Sequence, residues 1–314
     1  ETLAEVAARY PHLVDDVQTA GRHAIAVVNL PDTTGRPLGA LALTWNQPIR
    51  LDDDGRAALE GVGRLCAQAL ERARLSDAEH RLVTTLQDSV LSPLPEMPGI
   101  TTASRYLPAA RHIGMGGDWY QGIVLDDHRY ALIVGDVAGH GITAIGEMAQ
   151  LRAVIGALVR LEVDVGQVFQ RTTALLRTDH RTVTATALLA VVDTETATLH
   201  YVAAGHPPPL LRTPQGATVL LAGGRQPLLG VPMSAEPVVG EHPFPPGSLL
   251  VTYTDGLVER RREPIDQSID RLLGHLHTSR ADDAEGIASE LITSSLAGRE
   301  PDDDVAIVVL RHEG

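Results

Sequence analysis

Apolar residues in the last two thirds of the chain change repeatedly between the spacing of strands and that of helices. Apolar or alternating runs predict strands over 100–106, 119–125, 130–137, 184–192, 198–203, 209–212, 249–254 and 305–311. Helical spacing predicts helices over 141–159, 165–176, 265–277 and 283–296. Glycines and a proline within 223–227 predict an irregular loop. Because the strands form hairpins with the helices grouped between them, we predict an α+β domain with antiparallel sheets.

The first third of the chain has its own pattern. Helical spacing over 1–20 is followed by strand-like runs at 24–30 and 38–45. The acidic stretch 51–54 then supplies an N-cap and first-turn carboxylates to a helix predicted from about residue 56 to 91. That helix ends before a stretch with three prolines, Pro93, Pro95 and Pro98.

The predicted long helix carries one narrow apolar face. Its members are Leu75, Leu82, Leu86 and Val90, and charged residues are spread elsewhere around the helix. Such a seam is typical of a helix that pairs with a second copy, so we predict a homodimer through this helix, with packing inside its own domain as the alternative. The predicted organisation is a first domain over 1–75, a linker helix and proline-rich boundary over 76–98, and a second domain over 99–314.

Composition narrows the classes of function. A formal charge of -14 over 314 residues argues against a nucleic-acid partner, because phosphate contacts need clustered Lys and Arg. The single cysteine, Cys66, excludes disulfides within the chain and cysteine-based zinc sites. The apolar runs are shorter than the roughly 18 residues of a membrane span, and the acidic residues in 1–20 are not typical of a signal peptide. We therefore expect a cytoplasmic protein without a membrane span.

Aspartates at strand ends supply the candidate chemistry. Asp118 and Asp136 each lie where an apolar strand meets glycines, which lets a ligand approach the backbone closely. Asp255 follows the run at 249–254, and the acidic stretch 302–304 precedes the last strand. Carboxylates without zinc-type Cys or His spacing favour Mg²⁺ or Mn²⁺. Two such ions can lower the pKa of a shared water and clamp phosphate oxygens, so phosphoester hydrolysis is the predicted reaction. Walker and kinase motifs are missing from the sequence.

Five motifs, in this order along the chain, resemble those of a known family. They are Gly116-Gly-Asp-Trp-Tyr120, Gly135-Asp-Val-Ala-Gly-His-Gly141, Ala203-Ala-Gly-His-Pro-Pro-Pro209, Tyr253-Thr-Asp-Gly-Leu-Val-Glu259 and Asp303-Asp304. Over about 100–311 the chain resembles the SpoIIE/RsbU group of PPM (type 2C-like) metal-dependent serine/threonine phosphatases. Residues 1–75 resemble the C-terminal part of a GAF sensor domain. The resemblance implies an αββα sandwich of two antiparallel sheets flanked by helices, with a metal cluster at one sheet edge.

The resemblance also implies two Mn²⁺ or Mg²⁺ ions and assigns their ligands. Asp136 would bridge both ions, Asp118 and Asp255 would complete the cluster, and the carbonyl of Val137 would contribute. Asp303, with Asp304 as the alternative, would bind from the start of the last strand. The catalytic residues implied in this way are Asp118, Asp136, Asp255 and Asp303.

Two positions depart from the family pattern. Gln121 stands where a further aspartate is common, and Ala306 stands where a threonine is usual. His140 and His206 lie beside glycines and are interpreted as structural residues, with a general acid as the alternative for His140 and a substrate contact as the alternative for His206. The phosphate contact stays open, because Arg105 and Arg111 precede the first metal aspartate without matching the arginine of the family's eukaryotic members.

The function implied by the resemblance is removal of phosphate from serine or threonine of a protein. The substrate class that it implies is a STAS-type anti-sigma factor antagonist in bacterial signalling and stress regulation. Two alternatives stay open at this point. One is a catalytically silent signalling scaffold of the same fold, and the other is a two-metal hydrolase of nucleotides or small phosphoesters.

Overall fold

The structure is a computed structural model that describes residues 23–90, 93–109, 116–139, 141–161, 164–178, 184–231, 236–260 and 263–313. The side chains of residue 76 and residues 78–90 lie outside this description, as do the predicted helix at 1–20 and the residues Arg111 and His140. By its internal contacts the chain divides into two compact units, Glu1–Arg81 and Leu82–Gly314.

The described part of the first unit contains a hairpin and most of a long helix, which continues into the second unit. Strand β1 (Ala24–Pro31) pairs antiparallel with β2 (Pro37–Trp45), which confirms both predicted strands. Helix α1 (Asp53–Val90) confirms the predicted long helix. Its N-terminus is capped as expected, since the carboxylate of Asp52 accepts the N–H of Gly55 at 2.8 Å. The GAF-like part and the homodimer stay predictions, because three residues of the apolar face lie among the side chains outside the description.

The second unit contains two stacked sheets. The first sheet has the strand order β10-β7-β6-β5-β4, with β11 also paired to β7, and the second has the order β3-β13-β12-β8-β9. The strands are β3 (Ile100–Leu107), β4 (Trp119–Val124), β5 (Arg129–Val137), β6 (Ala185–Asp193), β7 (Thr198–Ala204), β8 (Leu210–Arg212), β9 (Thr218–Leu220), β10 (Arg225–Gln226), β11 (Gly240–Pro243), β12 (Leu249–Tyr253) and β13 (Val305–His312). Apart from the short parallel β10–β7 pair, the pairings are antiparallel, as predicted.

Four helices cover the outer faces of the sheets. They are α2 (Ile142–Leu161), α3 (Val165–Thr178), α4 (Ile265–Thr278) and α5 (Ala284–Leu296). Within β5, Ala131 and Ile133 join the cluster that contains α2 and α3, whereas Leu132 and Val134 join the cluster between the sheets. Strand β13 alternates in the same way between the inter-sheet cluster and the cluster with α4 and α5. Because successive side chains of a strand point to opposite faces, each sheet is buried on both sides, and the layers are α-β-β-α.

Helix α2 is the one helix in the described part of the chain that is long and apolar enough to cross a membrane. Its buried residues include Met148, Leu151 and Ile155, which pack in the cluster between α2, α3 and the first sheet. The core helix of a folded domain passes the same test of length and hydropathy, and that is the role of α2 in this fold.

The stretch between β8 and β12 contains more regular structure than the predicted irregular loop. Strands β9, β10 and β11 have two to four residues each, and a 3-10 helix (Asp255–Leu257) follows β12. Such short strands are formed by pairing with neighbours, as when the N–H of Gly205 donates to the carbonyl of Gln226 at 2.9 Å. They are too short to leave a periodic pattern in the sequence.

Candidate metal centre

Asp118 is positioned by the two glycines that precede β4. A Cβ atom on Gly117 would lie 2.0 Å from the carbonyl oxygen of Val137, so only glycine allows this turn to approach the end of β5. The N–H of Val137 donates to the carbonyl of Gly117 at 3.1 Å. On β5, Gly135 leaves room for the ring of Trp119, whose nearest carbon would be 2.2 Å from an added Cβ. These close approaches place Asp118 beside the end of β5.

Asp136 and Asp255 reach the same place from different sheets. Asp136 is the second-last residue of β5 in the first sheet, and Asp255 begins the 3-10 helix after β12 in the second sheet. Each of Asp118, Asp136 and Asp255 offers a carboxylate oxygen, and the three oxygens lie within 4.8 Å of one another. The structure therefore brings together three of the four aspartates that the sequence singled out, across the junction of the two sheets.

The three carboxylates have perturbed pKa values. Burial raises the pKa of Asp118 well above its ordinary range, and the charge of Asp136 raises it further, while a hydrogen bond from Thr254 opposes the shift. Burial and the charge of Asp255 raise the pKa of Asp136 to about 7. Burial and the charge of Asp303 raise the pKa of Asp255 to about 6. Carboxylates that repel one another at this distance ionise at higher pH than isolated carboxylates, and a bound cation would compensate their charges.

The acidic stretch before β13 divides into two roles. Asp303 is exposed and outside the three-oxygen cluster, but its charge raises the pKa of both Asp136 and Asp255, so it lies at the rim. Asp304 is 2% exposed, and its carboxylate accepts the N–H of Ala109 and of Gly116, each at 2.8 Å. With both oxygens already bonded inside the protein, Asp304 is positioned as a structural acceptor. One oxygen of Asp303 accepts the N–H of Asp304 at 2.8 Å, and Asp303 stays the predicted ligand of the pair.

Asp304 joins the turn that carries Asp118 to the second sheet. Besides the two backbone groups, the hydroxyl of Tyr106 on β3 donates to Asp304. Burial and the charge of Asp304 raise the pKa of Tyr106 above its ordinary value, so the hydroxyl keeps its proton and remains a donor. A Cβ on Gly116 would lie 2.7 Å from an Asp304 oxygen, and one on Gly256 would lie 2.0 Å from the Asp304 carbonyl. Glycine at both positions allows these contacts.

The two departures from the family pattern have separate structural settings. Gln121 packs beside Gly156 of α2, because a Cβ atom on Gly156 would lie 3.2 Å from the carboxamide atoms of Gln121. The Gln121 side chain is therefore on the side of β4 that faces α2. A carboxylate at position 121 would be on the opposite face of β4 from the cluster. At Ala306 the backbone is held by Thr254, whose hydroxyl accepts the Ala306 N–H at 2.8 Å. Thr254 thus bonds both the last strand and Asp118.

The remaining described candidates are already bonded to other residues. Arg105 forms an ion pair with Glu285 and donates to the carbonyl of Ser104, so its guanidinium is already engaged. His206 is buried with its Nδ1 2.8 Å from the hydroxyl of Thr186, which is the residue opposite Asp136 on β6. Burial lowers the pKa of His206 to about 3, so it is neutral. This setting supports its interpretation as a structural residue.

The residues present fit a divalent cation. Asp118 is 3% exposed, and its Oδ2 atom has no hydrogen-bond partner in the described part of the chain. A buried carboxylate oxygen without a partner is costly unless a ligand satisfies it. The donor set consists of hard carboxylate oxygens, which Mg²⁺ and Mn²⁺ prefer. Asp118, Asp136 and Asp255 would hold the ions, while Asp303 and the carbonyl of Val137 stay predicted ligands.

Comparisons with known proteins identify relatives of this chain. The chain is 26% identical over 206 residues to the phosphoserine phosphatase RsbP of Bacillus subtilis, covering 62% of this chain and 49% of RsbP. It therefore spans about half the length of the curated relative that it matches.

Three solved structures share the fold. The RsbU and RsbW domains of a Mycobacterium tuberculosis protein are 28% identical, with a TM-score of 0.62 over 71% of this chain and 64% of that chain. The PP2C phosphatase domain of SpoIIE from Bacillus subtilis is 19% identical, with a TM-score of 0.59 over 68% of this chain and 62% of that chain. RsbX, solved in complex with magnesium, is 19% identical, with a TM-score of 0.54 over 70% of this chain and 98% of that chain.

The family profile of Stage II sporulation protein E (SpoIIE) matches residues 126–313. This span is more than half of the chain and contains Asp136, Asp255 and Asp303. It also contains the strands and helices of both layers from β5 to β13. The protein therefore has a PP2C-like fold and belongs to the SpoIIE family.

Proposed function

We propose that this protein is a phosphatase that removes phosphate from phosphoserine or phosphothreonine of a protein, with two Mn²⁺ or Mg²⁺ ions. One observation carries the proposal: three aspartates from separate elements present carboxylate oxygens within 4.8 Å of one another. Similarity to the phosphoserine phosphatase RsbP supports the choice of substrate class. The finer substrate, a STAS-type anti-sigma factor antagonist, rests on the resemblance of the five motifs alone.

A bound pair of divalent ions would supply an activated water and charge neutralisation at the phosphoryl oxygens. The chain supplies the scaffold for that chemistry. Asp136 interacts with both Asp118 and Asp255, whose hydrogen bond and charge affect its pKa, and it is proposed to contact both ions. Asp303 and the carbonyl of Val137 are proposed as further ligands. The backbones of Asp118 and Asp136 are fixed by the glycine contacts and the strand pairing described above, so these two carboxylates are held in place before an ion binds.

The roles of neighbouring residues follow from their contacts. Thr254 donates to Asp118 and so favours its ionised form, in which it can bind a cation. Asp304 holds the turn of Gly116 through an N–H contact at 2.8 Å, which fixes the approach of Asp118. His206 is neutral and bonded to Thr186, so we assign it no proton transfer.

The proposal is tested by phosphate release. The protein is incubated with a phosphoserine peptide, ATP and p-nitrophenyl phosphate in EDTA, Mg²⁺ or Mn²⁺. We expect release from the phosphopeptide that needs Mn²⁺ or Mg²⁺ and is lost in Asp136→Asn. The matched control is Asp127→Asn, because Asp127 is an exposed aspartate in the turn at the opposite end of β5.

Three results would contradict the proposal. Absence of release from every compound with either metal would indicate a silent scaffold. Preference for ATP over the phosphopeptide would indicate a nucleotide hydrolase. Full activity of Asp136→Asn would place the chemistry outside the aspartate cluster.

A further inference from the structure

A cavity of about 320 Å³ opens beside the aspartate cluster. It shares Asp255 with the cluster and is otherwise lined by the turn after β7, by β10 and by the first turns of α4. We call it the Arg225 cavity. Its volume is at the lower end of the range of small-ligand sites, so it can take a short peptide segment and is larger than a phosphate ion needs.

The walls of the Arg225 cavity are fixed from behind. The hydroxyl of Tyr253 donates to the carbonyl of Pro208 at 3.0 Å, and Thr186 bonds His206 at 2.8 Å. The N–H of Ala203 donates to the carbonyl of Gly224 at 2.7 Å, which holds the residue before β10. The turn after β7 and the residue before β10 are therefore fixed by the core without a bound ligand.

Among the described residues that line this cavity, one is an arginine. Arg225 is exposed and lines it together with Asp255. Within the described residues no ion pair or side-chain hydrogen bond engages Arg225, whereas Arg105, the candidate from sequence, is paired with Glu285. A guanidinium group matches the oxygens of a phosphate with two parallel hydrogen bonds. Arg225 is thus an available cation in the same cavity as a residue of the aspartate cluster.

Another part of the cavity lining is apolar. Pro208, Ile265 and Ile269 line it, and Ile265 is 40% exposed although it is a large hydrophobic residue. Asp266 also lines the cavity and is exposed, so a purely anionic ligand would be repelled at that end. The combination of a cation, a carboxylate and an apolar wall suits a peptide with a phosphoryl group at one end and an apolar side chain beside it.

We propose that the Arg225 cavity binds the phosphoserine-bearing segment of the substrate, with Arg225 on the phosphoryl oxygens and the Ile265 wall against the neighbouring side chain. This inference rests on the proposed function. It assigns Arg225 as the phosphate contact that sequence reasoning left open. It also gives the apolar wall a part in substrate choice: a phosphoserine followed or preceded by an apolar residue is preferred over one flanked by acidic residues.

The test compares two substrates and three variants. The substrates are p-nitrophenyl phosphate, which has no peptide chain, and a phosphoserine hexapeptide with leucine on both sides of the phosphoserine. The variants are Arg225→Gln, Ile265→Asp and the control Arg299→Gln, an exposed arginine in the segment between α5 and β13. The values of kcat and KM are measured at saturating Mn²⁺, and the Mn²⁺ concentration for half-maximal activity is measured for each variant.

The expected results separate the phosphoryl contact of Arg225 from the side-chain contact of the Ile265 wall. Arg225→Gln raises KM for both substrates by about tenfold or more, as expected for loss of a charge-assisted contact, and Arg225→Lys restores part of the loss. Ile265→Asp raises KM for the hexapeptide only. The control leaves both values unchanged, and half-saturation by Mn²⁺ is the same in all variants.

Two results would overturn the inference. The first is that Arg225→Gln keeps KM for both substrates within about twofold of the wild-type value. The other is an equal loss of both activities in Ile265→Asp, which would make the wall a structural feature. In either case the wild-type protein still releases phosphate with Mn²⁺. Absence of release by the wild-type protein would instead reject the proposed function itself.

Discussion

Replacing Asp136 with asparagine tests the electrostatic cost of the aspartate cluster. Burial and the carboxylates of Asp255 and Asp303 raise the pKa of Asp136 from 3.8 to about 7. Since one pKa unit corresponds to about 1.4 kcal/mol, ionising Asp136 in the metal-free fold costs on the order of 4 kcal/mol. Asparagine has the same shape and no charge. In EDTA at about pH 8, we therefore expect the free energy of unfolding to rise by about 2–4 kcal/mol in Asp136→Asn.

A divalent cation should reverse this order of stability. An ion that binds only the folded state stabilises the wild-type protein according to its concentration and affinity. Asp136→Asn lacks a charged ligand at the centre of the cluster, so it gains little from the ion. We expect the variant to be more stable than wild type in EDTA and less stable than wild type at saturating Mn²⁺.

Urea unfolding followed by tryptophan fluorescence measures both quantities. Trp119 is fully buried and adjacent to Asp118, and a Trp45→Phe background makes it the only fluorescent tryptophan of the chain. Asp127→Asn, at an exposed turn position, serves as the control and should match wild type with and without Mn²⁺. A loss of stability of Asp136→Asn in EDTA would refute the reasoning, because it would make Asp136 an ordinary structural carboxylate. Equal stabilisation of variant and wild type by Mn²⁺ would refute it as well.

Three further predictions follow from the same contacts. In EDTA the free energy of unfolding should fall as pH rises from about 5 to 8. The clustered aspartates have folded-state pKa values above their unfolded values, so the folded protein loses bound protons over this range. Urea midpoints at several pH values, repeated in Mn²⁺, measure this change in stability. Tyr106→Phe removes a donor to the buried carboxylate of Asp304. It should lower stability by about 1.5–3 kcal/mol and raise the Mn²⁺ concentration for half-maximal activity, while kcat at saturating Mn²⁺ is kept; a lower kcat with unchanged half-saturation would contradict this role. Gly117→Ala should abolish Mn²⁺ binding in a calorimetric titration, because its Cβ would lie 2.0 Å from the carbonyl oxygen of Val137. The control Gly146→Ala, in an open position on α2, should bind Mn²⁺ normally and gain about 0.5–1 kcal/mol of stability.

Long periodic runs made most of the fold predictable from the sequence. The strand at 305–311 was predicted within one residue of β13 because its apolar run is buried on both faces. The helix at 265–277 was predicted within one residue of α4 because its apolar face is regular. Strands β10 and β11 left no such pattern, since two to four residues are ordered by pairing with β7 and not by their own periodicity.

The aspartates of the site were predictable, but their supporting contacts were not. Asp118, Asp136 and Asp255 stood out because each lies between an apolar run and glycine. Sequence could not separate the roles of Asp303 and Asp304, because the difference lies in two backbone donors that are remote along the chain. Arg225 was missed for the same kind of reason. Its position beside Asp255 depends on how β10 pairs with β7, and adjacent residues give no sign of that pairing.

Crystals of the protein soaked in Mn²⁺ and measured for anomalous scattering test the central claim most directly. The account predicts two anomalous peaks between the carboxylates of Asp118, Asp136 and Asp255, with an oxygen of Asp136 bonded to both ions, and no such pair in crystals of Asp136→Asn. Crystals in which these three carboxylates bind no manganese, or in which the ions lie on other residues, would contradict it.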